Sequence, residues 1–389
     1  MTSESFLMGM FTSPEVEEAT SERAWLQATL DVEEALTRAN GAVGAIPAEV
    51  VTSIVAACDA GYYDPAAMRE AAVAAATPVV PLVEALRIKA GSDAGPFVHF
   101  GATSQDIVDT AMMLLAKRTI TLVLADLERE TTMLATLARE HRATPMLART
   151  LLQPALPTVF GLKCANWLDG LLDARDGLVR VRDRRLAVQF GGAAGTLATF
   201  DATGPRVAEL LADDLGLLAP AIPWHTNRSR IVDLASALAM SAGAAGKVAG
   251  DVLLMAQAEV GEVAAGRGAS SSMPHKRNPA SAVLTIATAK LAAGFAAMLL
   301  GLQVHEHERA AGSWQAEWLP TMLLLRAAGG AAHHLTSLLE HLEPHPDAML
   351  RNLRAAAVPG SDRFDDVGSA LVFIDRVLER HGLTATSEQ

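Results

Sequence analysis

The sequence predicts an all-α fold built as a bundle of long helices. Half of its residues are apolar but only 4% are aromatic, so the core must consist mainly of Ala, Leu, Val and Met. Such a core suits helix–helix packing better than a β-sandwich, which favours aromatic and β-branched residues. The segment 107–142 contains neither glycine nor proline. No segment shows the apolar–polar alternation of a half-buried strand. Long helices of this kind must bury their apolar faces against one another.

The first predicted helix covers residues 16–40, where apolar residues recur at three- and four-residue spacing. The loop GSDAGP at 91–96 then marks a candidate domain boundary. Residues 107–142 form one predicted helix of up to about 50 Å. Further long helices are predicted at 158–185, 228–266, 280–303 and 317–342, and a shorter one at 364–381. The chain accordingly divides into an N-terminal helical domain (1–98), a central long-helix bundle (99–345) and a C-terminal helical segment (346–389).

The charge and the cysteines restrict the kind of protein. The net charge of −12 argues against nucleic acid as a partner, because phosphate binding needs a basic face. An anionic small substrate remains compatible, since a few Lys and Arg residues can form a local positive pocket. The cysteines, Cys58 and Cys164, lie outside any CxxC or metal-type spacing and indicate a reduced, cytoplasmic protein. The N-terminal residues lack the basic and apolar regions of a secretory signal.

Residues 282–304 are apolar enough to raise the question of a membrane span. Lys290 interrupts this stretch, and the charged sequence HEHER follows it at 305–309. We therefore expect a buried bundle helix and no membrane association. The histidines of HEHER lack the i, i+4 spacing of a helical zinc site, so a solvated or anion-binding face is expected there instead of a metal site.

Three polar islands interrupt the apolar pattern, at residues 99–110, 148–158 and 268–281. Each lies at the end of a predicted long helix, where side chains and backbone amides can converge on a ligand. The first also has a simple structural interpretation, because Thr103 or Ser104 would cap the helix that follows. The second is equally compatible with a surface turn.

The third island, GASSSMPHKRNPAS, has no comparable structural interpretation. Its serines at 270–272 do not belong to the apolar face of a helix. The neighbours His275, Lys276 and Arg277 would repel one another unless an anion lies among them. Flanking glycines favour a loop that opens and closes, and a serine beside several cations can act as a base. The composition therefore predicts a carboxylate-binding loop.

SSSMPHKRNP resembles the signature loop of the fumarase/aspartase superfamily, whose pattern is roughly G-S-S-x-M-P-x-K-x-N-P. The matching residues are Ser270, Ser271, Met273, Pro274, Lys276, Asn278 and Pro279, while Ala269 replaces a glycine. HFGATSQDIVDTA and ARTLLQPALPTVFGLK are similar to the first and second conserved blocks of the superfamily, in the expected order. The resemblance covers about residues 15–345, and by this resemblance the C-terminal segment 346–389 looks truncated. It implies a homotetramer with a central twenty-helix core and active sites that are each built from three subunits.

Further segments, among them QFGGAAGTLATF and PWHTNRSRI, are similar to the carboxymuconate cycloisomerase branch, which acts in protocatechuate breakdown by the β-ketoadipate route. Eliminating lyases of the superfamily carry a histidine in the second block, where this chain has Pro154, and a glutamate after the signature, where it has Val283. Neither side chain can transfer a proton, so these departures favour a lactone-forming enzyme. An eliminating lyase acting on a succinyl-type compound and a catalytically inactive structural homologue remain alternatives.

The resemblance implies a site for a small polycarboxylate. Ser270 matches the catalytic serine of the superfamily and would deliver a proton during lactone formation, with His99 and His225 as candidate partners. Lys276 and Asn278 would bind a carboxylate. The other implied substrate-binding residues are Thr103, Ser104, Thr150 and Gln153 as neutral hydrogen-bonding groups, Arg149 and Ser271 from the matching motifs, and Arg228 and Arg309 as further anion-binding cations. No cofactor and no metal is expected, because a carboxylate nucleophile and a proton donor suffice.

Overall fold

The computed structural model describes residues 3–265, 268, 278–361 and 367–382, and the chain within these ranges is mostly helical. In chain order its α-helices are α1 (Ser3–Gly9), α2 (Pro14–Ala19), α3 (Glu22–Ala42), α4 (Ala48–Ala57), α5 (Pro65–Ala75), α6 (Val79–Ala90), α7 (Ser104–Glu140), α8 (Phe160–Arg184), α9 (Gly204–Leu215), α10 (Ser229–Met255), α11 (Ala280–Gly301), α12 (Ser313–Glu340), α13 (Pro346–Ala356) and α14 (Ala370–His381). The described strands are β1 (Pro145–Thr150), β2 (Gln153–Val159), β3 (Val263–Ala265) and β4 (Leu342–Pro344), which pair antiparallel as β1–β2 and β3–β4. The predicted all-α bundle is confirmed.

The helix α7 begins where Thr103 and Asp106 form a capping box. The backbone N–H of Thr103 donates to the Asp106 carboxylate at 3.0 Å, which fixes the start of the helix. The 37 residues of α7 contain no helix breaker, and the side chains that face the bundle are buried. At about 1.5 Å per residue the helix is about 55 Å long. The prediction of one long helix at 107–142 is confirmed apart from its ends.

Two of the predicted helices differ most from the structure. The segment 16–40 is divided between α2 and α3, because Ser21 caps a new helix by accepting a hydrogen bond from the Ala24 backbone N–H at 3.1 Å. The helix predicted at 228–266 ends at Met255, and β3 follows it and pairs with β4. In the first segment, the cap at Ser21 interrupts the predicted helix. In the second, pairing of β3 with β4 replaces the last turns of the predicted helix.

Five long helices, α7, α8, α10, α11 and α12, pack side by side to form the bundle. Their buried surfaces consist mainly of Ala, Leu and Val, as the low aromatic content predicts. At Gly246, α10 lies so close to α11 that a Cβ atom there would be 2.7 Å from the Cβ of Ala289. Small side chains therefore set the distance between the two helices, and the core is filled by close backbone approach.

The strands β1 and β2 form a hairpin between α7 and α8, where the sequence pattern predicts no strand. Its turn consists of Leu151 and Leu152, which have φ values of 50° and 62°. Two-residue turns with both φ values positive match the twist of a hairpin but are usually made by Asn and Gly. The two leucines therefore give no turn signal in the sequence. Both are exposed, at 96% and 72%.

The long helices give the bundle two ends. At the cap end, where Thr103 caps α7, Asn227 before α10 pairs with Val304 after α11. At the hairpin end, β3 follows α10 and pairs with β4, which follows α12. Because α7 runs from one end to the other, residues at the cap end are separated from the hairpin by most of its length of about 55 Å.

Two described helices, α10 and α11, are apolar and long enough to cross a membrane by length and composition alone. In the structure they pack against each other and against α12. The outer face of α11 nevertheless remains apolar, because Val283, Leu291, Met298 and Leu300 are between 38% and 53% exposed. No described part of the chain covers this face.

Candidate active site

The buried carboxylate of Asp106 organises the cap end. Its Oδ1 lies 2.7 Å from Nε2 of His225 and accepts a hydrogen bond from the backbone N–H of Gly191 at 3.1 Å. Its Oδ2 accepts the backbone N–H of Gly192 at 2.9 Å and that of Thr103 at 3.0 Å. Asp106 therefore holds the start of α7, the loop that contains Gly191 and Gly192, and the imidazole of His225 in fixed relative positions.

His225 is buried beside this carboxylate. The backbone of Gly191 lies so close that a Cβ atom there would be 2.7 Å from Cε1 of the imidazole. The carbonyl of His225 accepts a hydrogen bond from Nε2 of Gln105 at 2.8 Å. Because an ionised carboxylate only accepts hydrogen bonds, the contact with Asp106 places a hydrogen on Nε2 of His225. Its part in catalysis stays a prediction.

Arg309 precedes α12 and contacts the start of α7. Its Nη1 donates to Oγ1 of Thr103 at 3.1 Å, and its Nη2 donates to the carbonyls of Gly192 at 3.2 Å and Ala193 at 2.9 Å. Within the described residues, no carboxylate forms an ion pair with this guanidinium. Ser104, the first residue of α7, is partly exposed at the same helix start. An uncompensated cation beside a helix N-terminus favours the binding of an anion.

His99 lies just before this helix start and forms an ion pair with Glu33 of α3. Its Nδ1 is 2.6 Å from Oε1 of Glu33, and the two side chains are 15% and 1% exposed. Burial acts to lower the pKa of His99, but the Glu33 carboxylate outweighs it and raises the pKa above its ordinary value. The backbone of His99 has a φ of 63°, which is uncommon for a residue other than glycine.

Arg228 is buried in an ion cluster, which corrects its predicted role as an anion-binding residue. Its guanidinium lies 2.7 Å from Oδ2 of Asp109 and 2.6 Å from Oε2 of Glu317. Nε1 of Trp314 donates to the other oxygen of Asp109 at 3.0 Å. Two buried carboxylates already compensate this one cation, and separating it from them would leave charges buried without a partner. Arg228 therefore connects the start of α10 to α7 and α12.

At the hairpin end, Arg149 forms a bidentate ion pair with Glu262, with N–O distances of 2.9 and 2.8 Å. Asn352 of α13 donates to the same carboxylate at 2.9 Å. The guanidinium thus links the hairpin to the chain after α10, and because it is 27% exposed, its predicted substrate contact stays a prediction. Thr150 and Gln153 lie opposite each other at the turn of the hairpin and are exposed.

The signature loop is described only at its two ends. The predicted residues Ser270, Ser271 and Lys276 lie outside the described residues. Asn278 exchanges two backbone hydrogen bonds with Gly268, at 2.8 and 3.1 Å. These two residues follow β3 and precede α11, so both ends of the loop lie at the hairpin end of the bundle.

The predicted site residues that the structure describes fall into two sets, apart from the buried Arg228. The cap-end set consists of His99, Thr103, Ser104, His225 and Arg309. The hairpin-end set consists of Arg149, Thr150, Gln153 and Asn278, together with Pro154 in β2 and Val283 in the first turn of α11. Most of the length of α7, about 55 Å, separates the two sets. One protomer therefore does not bring all of these residues together.

Sequence reasoning did not identify Asp106, Glu33 or Glu262 as neighbours of the site. Asp106 had a detectable signal, because an acidic residue three positions after Thr103 is typical of a capping box. Glu33 and Glu262 had none, since they meet their partners across 66 and 113 residues of sequence. Contacts of that kind depend on the packing of whole helices.

A family model described as a lyase matches residues 9–294 of the chain. A 3-carboxy-cis,cis-muconate cycloisomerase from Bradyrhizobium diazoefficiens is 46% identical over 356 residues, which cover 90% of this chain and 79% of the relative. A nitrosuccinate lyase from Streptomyces davaonensis is 44% identical over 353 residues, which cover 87% of this chain and 74% of the relative. The relatives thus include one enzyme named for cyclisation and one named for elimination.

A solved structure shows the same fold. The 3-carboxy-cis,cis-muconate lactonizing enzyme from Pseudomonas putida superposes with a TM-score of 0.90 at 34% identity, over 97% of this chain and 99% of that chain. The matching model covers most of the sequence, and the identity to the relatives extends over nearly the whole chain. The chain therefore belongs to this lyase family.

Proposed function

We propose that this protein is a cycloisomerase that converts 3-carboxy-cis,cis-muconate to 4-carboxymuconolactone, in protocatechuate breakdown by the β-ketoadipate pathway. The observation that carries the proposal is the pair Pro154 and Val283. These residues stand where eliminating members of the fumarase/aspartase superfamily carry a histidine and a glutamate, and neither can transfer a proton. The 46% identity to a cycloisomerase supports the same activity.

The cap end has the chemistry that a polycarboxylate substrate requires. In the reaction, a carboxylate oxygen of the substrate forms a C–O bond to an alkene carbon, and the π electrons move to the adjacent carbon. A carboxylate attached there delocalises the negative charge until a proton adds to that carbon, and by the superfamily resemblance Ser270 supplies this proton. Arg309 and the hydroxyls of Thr103 and Ser104 would stabilise the charge, because donors fixed before the reaction need little reorganisation.

We further propose that the active sites are shared between the subunits of a homotetramer. The cap-end and hairpin-end residues of one protomer are separated by most of the length of α7, about 55 Å, so a site that uses both sets needs different copies of the chain. The apolar outer face of α11 supports this assembly, since an exposed face of that kind favours burial against further helices. The number of four subunits follows the superfamily resemblance.

We place this tetramer in the cytoplasm, without a membrane or nucleic-acid partner. The thiols of Cys58 and Cys164 are free and buried, which fits a reducing compartment. The net charge of −12 opposes binding to nucleic acid. In this proposal the apolar face of α11 lies between subunits and is not available to lipid.

The test is an assay of the purified protein with 3-carboxy-cis,cis-muconate, whose ultraviolet absorbance falls when the conjugated diene is lost. The product is identified as 4-carboxymuconolactone by NMR, and heat-inactivated protein is the control. Formation of the lactone supports the proposal. An unchanged spectrum at high concentration of folded protein contradicts it.

A second candidate is elimination from a succinyl-type compound. The 44% identity to a nitrosuccinate lyase favours it, although Pro154 and Val283 count against a standard elimination. Incubation with nitrosuccinate would then yield fumarate and nitrite, which are measured separately. A folded protein that converts neither 3-carboxymuconate nor nitrosuccinate would instead be a catalytically inactive homologue.

A further inference from the structure

Glu33 and His99 form the one contact at the cap end in which a buried carboxylate meets a partly exposed imidazole, among the described residues. Nδ1 of His99 lies 2.6 Å from Oε1 of Glu33. The Glu33 side chain is 1% exposed, and its Oε2 has no hydrogen-bond partner in the described part of the chain. A buried carboxylate with so few partners stabilises the charged form of the cation beside it.

The backbone next to His99 is held by contacts at the two residues that follow it. Nδ2 of Asn40, on α3, donates to the carbonyl of Phe100 at 3.1 Å. Phe100 also contacts Phe200 edge to face, with ring centroids 5.7 Å apart. Gly101 lies directly against the Phe200 ring, so that a Cβ atom at this position would overlap it. These contacts maintain the left-handed backbone of His99, and strain that is fixed in this way is characteristic of functional positions.

Three charged groups face His99 from the elements around it. Glu33 on α3 and Asp106 on α7 favour the imidazolium, whereas Arg87 on α6 and the burial of the ring oppose it. Asp106 is already in contact with His225 at 2.7 Å. Glu33 is therefore the group that decides whether His99 carries a charge.

We propose that Glu33 is a positioning residue that keeps His99 protonated, so that Nε2–H of His99 donates a hydrogen bond to a substrate carboxylate. This inference rests on the polycarboxylate-binding function proposed above. Glu33 occupies Nδ1, which leaves the Nε2 edge of the partly exposed ring for the substrate. During carboxylate addition the negative charge moves within the substrate, from the attacking carboxylate to the adjacent carbon and the carboxylate attached to it, and the imidazolium stabilises it there while keeping its own proton. Because Glu33 is buried, its carboxylate would act on the substrate only through His99.

Glu33→Gln tests the role of the charge, because glutamine retains a hydrogen-bond acceptor of nearly the same shape. We expect kcat to fall by at least about tenfold. The alkaline limb of the kcat/KM profile should move to lower pH, since a neutral partner no longer favours the imidazolium. Glu33→Asp keeps the charge and should restore the position of that limb. The control is Glu130→Gln, which alters an equally buried glutamate further along α7 and should leave the pH profile unchanged.

A titration that does not depend on turnover separates this inference from the proposed function. The protein is labelled with ¹³C-histidine, and loss of one resonance in His99→Gln identifies the signal of His99. In the unaltered protein the midpoint should lie above about 6.5, the ordinary value for histidine. A midpoint at or below that value overturns the inference, and so does a Glu33→Gln pH profile that matches the unaltered enzyme. A raised midpoint in a protein inactive on 3-carboxymuconate supports the charge assignment and contradicts the proposed function.

Discussion

Arg149 and Glu262 form a bidentate ion pair that joins the β1–β2 hairpin to the chain between α10 and β3. The carboxylate is fully buried, whereas the guanidinium is 27% exposed. Asn352 on α13 donates to the same carboxylate. The pair therefore connects the exposed turn that carries Thr150 and Gln153 to the C-terminal part of the chain.

Arg149→Met should lower the free energy of unfolding by about 3 kcal/mol, because Glu262 would remain buried without its cation, with Asn352 as its one remaining side-chain partner among the described residues. Thermal unfolding at a fixed protein concentration measures the change. Arg182→Met is the control, since it breaks an exposed pair with Asp183 and should cost less than about 1 kcal/mol. The double variant Arg149→Met/Glu262→Gln should recover part of the loss. Equal effects at Arg149 and Arg182 would contradict the role assigned to the buried pair.

Arg228→Met should reverse the pH dependence of the stability that Asp109 contributes at the cap end. In the unaltered protein, burial acts to raise the pKa of Asp109, but Arg228 outweighs it and the pKa lies below its ordinary value. The stability from this group is therefore present above the unfolded-state pKa of about 3.9 and is lost as the pH falls through the folded-state value.

In Arg228→Met, Asp109 and Glu317 remain buried without their cation, so their pKa values should lie above those of the unfolded chain. The variant should then become more stable as the pH falls from about 8 to about 5. Unfolding curves over this range, compared with those of Arg182→Met, measure the effect. A variant whose stability runs parallel to that of the unaltered protein would show that Arg228 does not compensate these carboxylates.

Gly101→Ala should displace the start of α7 and reduce both stability and turnover. Its φ of 76° and the adjacent ring of Phe200 leave no room for a Cβ atom. We expect a loss of about 1–3 kcal/mol in the free energy of unfolding. Gly44→Ala is the matched control, because Gly44 has a φ of 72° with no neighbour within 4 Å, and turnover should be unchanged. Adding Phe200→Ala to Gly101→Ala should restore part of the turnover, because it removes the ring that the new Cβ atom would overlap. No recovery in the double variant would contradict this explanation.

Ser270→Ala should fold to the same oligomeric state and lose turnover by at least about 100-fold, since the proton donor is removed. Ser236→Ala, an exposed position on α10, is the control. Lys276→Met should mainly raise KM for a tricarboxylate. Turnover of Ser270→Ala at the unaltered rate would exclude the serine as proton donor, and an unchanged KM in Lys276→Met would exclude the lysine as a carboxylate-binding group.

Mixed oligomers test whether the sites are shared. Arg309→Met alters the cap end and Ser270→Ala alters the signature loop, so each variant alone should be nearly inactive. Refolding the two together should restore about a quarter of the unaltered activity, because random mixing places intact halves in the same site at that frequency. Absence of any recovery in oligomers shown by mass spectrometry to be mixed would mean that each site is built from one chain.

The features that could be predicted from the sequence are those that depend on residues close together in the chain. α7 follows from an uninterrupted helical segment, and Thr103, which caps it in the structure, is one of the two caps that the sequence predicts. The hairpin was not predictable, because Leu151 and Leu152 adopt a turn conformation that leucine rarely signals. The role of Arg228 was not predictable either, since Asp109 and Glu317 reach it only after three helices have packed. The domain boundaries at 98 and 345 stay predictions.

The length of α7 determines how specific activity depends on protein concentration in the proposed assembly. A separated protomer would be a folded protein that holds half of one active site at each end and a complete site at neither. Specific activity would then fall on dilution below the concentration at which the subunits dissociate, even while every helix stays intact. Because the 37-residue helix separates the two halves of a site, activity would depend on protein concentration. Newly made chains would be inactive until they assemble.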